Sequence, residues 1–213
     1  MTRFDTVCRP WQRVFELAWL SLCRGSKAIA AVITDSEGNI ISEGRNRTCE
    51  PGLPNPAAAH AETEAVRELN ISRYPDVHSY TLYAGLEPCV MCMGTLVMGG
   101  IRRVVIGARD NYGGAMKLID VFGFAKQRGI ETVCSDRIIG EMQRAFQTLR
   151  ELLFNTDRDK LSEMLEDFSV YDRKGVEAAK ALVSEGLFSD REPSSFTAGE
   201  IFDLLAEKID REE

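Results

Sequence analysis

The sequence predicts an α/β protein: a mixed sheet of about five strands with helices on both faces, and a helical appendage at the C-terminus. Three observations predict it. Segments of helical period and short β-branched runs follow one another in the order α-β-β-α-β-α-β-α-β-α. Hydrophobic residues make up 44% and charged residues 28% of the 213-residue chain, which suits a globular domain rather than a disordered or fibrous one. After Phe154 the strands stop and only amphipathic helical patterns remain. The organisation expected is therefore a domain over residues 1–154 and an extension over 155–213.

Residues 11–24 (WQRVFELAWLSLCR) carry the first helical pattern. Ala28–Thr34 is strand-like, Asp35–Asn39 (DSEGN) has hairpin-turn chemistry, and Ile40–Glu43 returns as a strand. Residues 44–57 are rich in Gly and Pro and read as a loop. A helix is expected over roughly Ala59–Leu69, a strand over Ser79–Ala84, a buried helix over Cys89–Met98 and a strand over Arg102–Gly107. Residues 108–115 (ARDNYGGA) form a loop. Lys117–Gln127 is helical, Glu131–Cys134 a short strand and Ile138–Phe154 a long helix. In the extension, apolar residues recur at helical spacing around Leu161–Phe168, Val176–Leu187 and Ile201–Ile209. These helices either pack on the domain or serve as a lid or partner-binding module.

Composition narrows the classes of function. The N-terminus MTRFDTVCRPW has no apolar run after a basic start, so no signal peptide is expected. The longest apolar stretch, Val14–Cys23, contains Glu16 and is too short to span a bilayer. A cytoplasmic location with reduced thiols follows, and six cysteines then point to metal or chemistry more than to disulfides. Residues 1–150 have a near-neutral charge balance of +2. Residues 151–213 hold eight Lys+Arg against seventeen Asp+Glu, a balance of −9. Such a segment is a poor platform for a polyanion.

The stretch GLEPCVMCMG sets Cys89 and Cys92 three residues apart after Pro88. Alone, a CxxC pair is a redox couple, half of a structural zinc site, or part of a catalytic one. His60 and Glu62, in AAAHAETEA, complete H-x-E…P-C-x-x-C, the pattern of zinc nucleobase deaminases. Cys89 and Cys92 at i, i+3 share one helix face, and Pro88 suits the start of that helix. His60 and Glu62 at i, i+2 do not share a face, so both reach one ion only if His60 sits at the very end of its helix. Two helix N-termini should therefore converge on a Zn²⁺ held by His60, Cys89 and Cys92. Glu62 would move protons between water, ring and leaving amine. Cys8, Cys23, Cys49 and Cys134 are scattered and read as packing residues, and His78 as a loop residue. Glu87 is either an orienting carboxylate or a backbone cap.

On these residues, together with Leu86-Glu87 and Arg103-Val104-Val105-Ile106-Gly107-Ala108-Arg109-Asp110, the chain resembles the cytidine deaminase-like superfamily over about residues 12–153. Its branch of tRNA adenosine deaminases, guanine deaminases and bacterial nucleoside deaminases is the nearest. The resemblance implies a three-layer α/β/α sandwich around the five-stranded mixed sheet, a zinc cofactor and a homodimer or larger assembly. It also implies that Asn46 contacts the substrate base, although Asn46 equally reads as an ordinary loop residue. Ala61 and Pro88, beside the ligands, are further expected substrate contacts. The segment Asn111-Tyr112-Gly113-Gly114 reads either as a pocket wall that stacks the ring on Tyr112 or as a turn with a surface tyrosine.

Three departures bear on substrate. Ala28-Ile29-Ala30-Ala31 stands where many relatives have Pro-x-Gly-Ala. Met98-Gly99-Gly100-Ile101 stands where tRNA deaminases read like His-Ser-Arg-Ile. The extension is acidic where theirs is basic. These lean towards hydrolytic deamination of a free nucleobase or nucleoside, preferably a purine, over editing of adenosine in tRNA. A non-catalytic zinc module that uses the acidic extension for partners is the reading from a different class.

Overall fold

The computed structural model describes residues 2–211. Met1 and Glu212–Glu213, the outer ends of the two expected segments, lie outside the described residues. A short helix α1 (Arg3–Thr6) precedes α2 (Arg9–Cys23). The hairpin β1 (Ala30–Thr34) and β2 (Ile40–Arg45) follows, then α3 (Ala61–Glu68), β3 (Thr81–Leu86), α4 (Val90–Gly99) and β4 (Arg103–Ala108). Next come α5 (Leu118–Val121), α6 (Gly123–Gln127), β5 (Glu131–Cys134) and α7 (Arg137–Phe154). The extension forms α8 (Arg158–Phe168), α9 (Arg173–Ser184) and α10 (Ala198–Arg211). The helix expected over Lys117–Gln127 is broken, because Phe122 adopts extended backbone (φ −99°, ψ 108°) between α5 and α6.

The five strands lie in the order β2-β1-β3-β4-β5. The pairs β1/β2 and β1/β3 are antiparallel, while β3/β4 and β4/β5 are parallel. Alternation along each strand divides the core. Ala30, Val32 and Val105 face one cluster with side chains of α2 and α7. Ala31, Ile33, Leu82, Ala84, Val104 and Ile106 face the other, with side chains of α3, α4 and α6. The result is the mixed sheet between two helical layers. The loops after β2, β3 and β4 leave from one edge of it.

The extension joins the first of these layers. Ala179, Leu182, Ile201, Phe202 and Leu205 belong to the same apolar cluster as Phe15 and Phe146. The Phe202 ring lies 5.2 Å from Phe15, and Trp19 Nε1 donates to Phe196 C=O at 2.8 Å. A Cβ on Gly175 of α9 would stand 2.0 Å from Glu141 C=O of α7, so that crossing admits only glycine. No helix among the described residues is long and apolar enough to cross a membrane.

At the same crossing α7 buries Arg144, whose Nε lies 3.6 Å from Asp172 Oδ2. Burial pushes the Asp172 carboxyl up to about 6, against the pull of Arg144. A carboxyl whose folded pKa is raised stabilises the fold fully below its unfolded pKa, and that contribution is lost as pH rises through about 6. Asp172→Asn removes the titration. The stability of the wild type relative to this variant should therefore fall by on the order of 2–3 kcal/mol between pH 4 and pH 7, read by urea denaturation at each pH.

The helix that opens with His60 is seated by Gly44 of β2. A Cβ there would lie 2.2 Å from Ala61 C=O and 2.4 Å from Ala65 N, both backbone atoms of α3. Gly44→Ala should cost on the order of 1–3 kcal/mol by forcing α3 off the sheet, seen as a lower denaturation midpoint.

Candidate metal centre

α3 and α4 present their N-termini to each other. His60 (φ −77°, ψ 150°) is the N-cap of α3, and its C=O accepts from Glu64 N–H at 2.9 Å. Cys89 (φ −72°, ψ 177°) is the N-cap of α4, and its C=O accepts from Met93 N–H at 2.8 Å. Neither side chain caps its own helix, so both are free to point at a common centre. Cys89 Sγ lies 3.6 Å from His60 Nδ1 and 3.6 Å from Cys92 Sγ. All three donor atoms fall within 4.8 Å of one another. Tetrahedral zinc with two thiolates and one imidazole requires S···S and S···N edges of about 3.5–3.8 Å. The donor set and its spacing therefore fit zinc. Glu62 stands one step into α3, buried, with Oε2 3.4 Å from Cys92 Sγ.

The titrating groups of the cluster share protons among themselves, with Cys89 the favoured thiolate. Hydrogen bonds from Cys92 and then His60 pull the Cys89 thiol down to about 3. The Cys92 thiol is pushed up, first by its hydrogen bond with Cys89 and then by burial. His60 is raised by its hydrogen bond with Cys89. Burial pushes the Glu62 carboxyl upward. The Cys92 backbone N–H also supports Cys89 Sγ, and positive helix ends favour thiolate there.

The other candidates divide. Pro88 is buried, and its C=O accepts from Ala115 N–H at 2.9 Å. Ala61 packs its methyl into the apolar layer under the site. Asn46 is buried just after β2, next to Arg47, whose N–H donates to Ala59 C=O at 2.9 Å. Asn46 Oδ1 accepts from Thr48 Oγ1 at 2.8 Å and from Thr48 N–H at 3.1 Å. Tyr112 is not brought to the others. Its ring is 94% exposed, and its N–H and that of Gly113 donate to Asp110 Oδ1 in a tight turn.

Glu87 acts as a backbone cap. Its carboxylate accepts from Asp110 N–H at 3.3 Å and Met116 N–H at 3.2 Å, fastening the loop after β4 beside Pro88. Sequence reasoning missed Thr63, whose Oγ1 lies 3.6 Å from Cys92 Sγ. Its position three residues after His60, on the same helix face, was the available signal.

Residues 9–108 match the family model described as the cytidine and deoxycytidylate deaminase zinc-binding region. The cytosine deaminase of Candida albicans is 30% identical over 110 residues, 51% of this chain and 70% of that protein. The chain belongs to this zinc-binding deaminase family. The family's cofactor is zinc, and the His60, Cys89 and Cys92 cluster agrees with it.

A tRNA-specific adenosine deaminase of Haemophilus influenzae is 41% identical over 103 residues, 47% of this chain and 57% of that protein. A solved tRNA:A34 deaminase, studied for A-to-I editing at the wobble position of transfer RNA, aligns with a TM-score of 0.50 at 26% identity. That alignment covers 57% of this chain and 93% of the other. The chain spans about half the length of its more similar curated relatives. As a family member it should carry about one zinc per chain. Cys89→Ser and Cys92→Ser should each lose most of that metal by elemental analysis, while Cys49→Ser keeps it.

Proposed function

We propose that the protein is a zinc-dependent hydrolytic deaminase of a free nucleobase or nucleoside, with purines preferred. His60, Cys89 and Cys92 would hold the ion in this reading, with Glu62 as the proton carrier. Bound zinc acidifies a water molecule. Glu62 takes a proton from the attacking water and delivers it to the ring nitrogen. It then takes the remaining hydroxyl proton and passes it to the departing amine, so that water and an amidine carbon become a carbonyl and ammonia. Its burial supports both roles, because a carboxyl raised from its ordinary value is a stronger base towards water and holds its proton until the amine departs. Asn46, next to Arg47, whose N–H ties that segment to Ala59 beside His60, would orient the ring.

The observation that carries the substrate class is the placement of the acidic extension. Asp167 of α8 accepts from Asn111 Nδ2 at 2.8 Å, on the loop that borders Cys89. The extension carries −9 over residues 151–213 and places Asp167 on that border, where a carboxylate disfavours a phosphate backbone but not an uncharged heterocycle. A second reading, editing of adenosine in tRNA, is favoured by the 41% identity to a tRNA-specific adenosine deaminase.

Ammonia release from guanine, adenine, guanosine, adenosine, cytosine and cytidine separates these readings. Turnover of at least one is expected. Glu62→Gln should lower it by about 10²-fold or more while zinc stays bound. Silence on all six, with inosine formed in tRNA and a salt-sensitive gel shift, would transfer the assignment to the second reading.

A further inference from the structure

The loop of residues 109–116 begins where the family match ends, and its inner side is tied to the metal centre. Gly114 pairs with Cys89 through the backbone, Ala115 N–H donates to Pro88 C=O, and Glu87 caps Asp110 and Met116. Its outer side is tied to the extension. Asn111 Nδ2 donates to Asp167 Oδ1 at 2.8 Å, and the Arg109 guanidinium lies 5.8 Å from the Tyr171 ring centre. Arg144, 2% exposed on its side chain, donates to Arg109 C=O and lies 4.5 Å from the Phe168 ring centre. Residues 109–114 put no side chain into the apolar core, whereas Ala115 and Met116 at the end of the loop pack against it. With two glycines and so little burial, the 109–114 part depends on polar ties to keep one conformation.

The outer support is itself fixed. Gly175 N–H donates to Glu141 Oε2 at 2.7 Å, and α9 crosses α7 at glycine-only distance. The segment 167–172, from the end of α8 to the start of α9, is therefore held on the long helix of the domain, not hung from a free tail.

We propose that segment 167–172 is a positioning element of the active site. By fixing the 109–116 loop from outside, it sets where Gly114 lies against Cys89 and so which ring the opening there admits. Asp167 and Tyr171 are the positioning residues, and neither touches the metal donors. The role in selecting a ring rests on the function proposed above. The loop-fixing role rests only on the contacts.

The test compares wild type with the double variant Asp167→Ala/Tyr171→Ala as full-length, zinc-loaded protein. Both sites lie outside the buried Arg144–Asp172 pair, so the fold is spared. Hydrogen exchange at the amides of 110–116 should speed up by about tenfold while 81–86 and 103–108 stay unchanged. Asp167→Asn, which keeps an Oδ1 acceptor, should exchange like wild type. For whichever of the six heterocycles is turned over, KM should rise several-fold with kcat within about twofold. Wild-type exchange in a folded double variant overturns the proposal, whether or not any heterocycle is a substrate. Faster exchange with an unchanged KM overturns the specificity role. If none of the six is turned over, the functional reading fails, and exchange alone decides the loop-fixing role.

Discussion

The meeting of two helix N-termini is the constraint on which the rest of the site depends. His60 and Glu62 are two residues apart, about 200° around a helix, and within a continuous helix they would point to opposite sides. The chain resolves this by leaving His60 in extended backbone as the N-cap while Glu62 is already helical. Cys89 does the same at the start of α4, so Cys92 follows it on the same face. Everything that fixes these two starts then becomes part of the chemistry. Gly44 seats α3 against β2, and Pro88 with its Ala115 partner sets the entry to α4. The residues that follow the ends of β2, β3 and β4 supply Asn46, Cys89 and the 109–116 loop, at the carboxyl edge where open α/β sheets place their ligands.

Legibility in the sequence tracked the range of the interaction involved. The five strands and the long helices were readable because their periodicity is local and their burial one-sided. Val32 and Ile33 alternate between the two layers, while Phe15, Ala18 and Leu22 of α2, and Met142, Phe146 and Leu149 of α7, recur at helical spacing towards one of them. The donor set was readable because its residue types are rare and their separation is fixed by a helical turn. The break at Phe122 was not, since nothing in FGF announces an extended residue between two helical turns. The role of Glu87 was left open for the same reason. A carboxylate before Pro88 reads alike whether it caps its own helix or, as it does, amides at 110 and 116. Contacts such as Asn111–Asp167 span 56 residues and carry no local signal at all.

The extension illustrates how a charged segment can be structural and electrostatic at once. Its apolar stripes are absorbed into the layer built by α2 and α7, which leaves its acidic residues on the outside. The buried exception is the Arg144–Asp172 pair. Desolvation opposes charge on both members, lowering the arginine and raising the aspartate from their ordinary values. Such a pair is weak evidence for stability, because burial costs offset the Coulomb attraction. Its arrangement is more telling than its energy. One guanidinium addresses the Arg109 carbonyl of the 109–116 loop, the Phe168 ring of α8 and the Asp172 carboxylate that opens α9.

That arrangement bears on the choice between a free ring and a polynucleotide. Relatives that act on tRNA share the zinc-binding half of this chain, so the shared half cannot discriminate. Discrimination has to come from outside that half, and loop 109–116, tied to Cys89 on one side and to α8 on the other, is the segment that meets the metal centre there. Polyanion binding requires several cationic contacts whose counterions are released. The arginines nearest the loop are already engaged, Arg109 over Tyr171 and Arg144 with Asp172. The two at the end of β2 and just after it, Arg45 and Arg47, are paired with Glu50. Recruiting them to phosphate would break those pairs and leave the mostly buried Glu50 without its partners. An uncharged heterocycle asks for none of this, since it needs only a donor or two and a proton carrier at its amidine carbon.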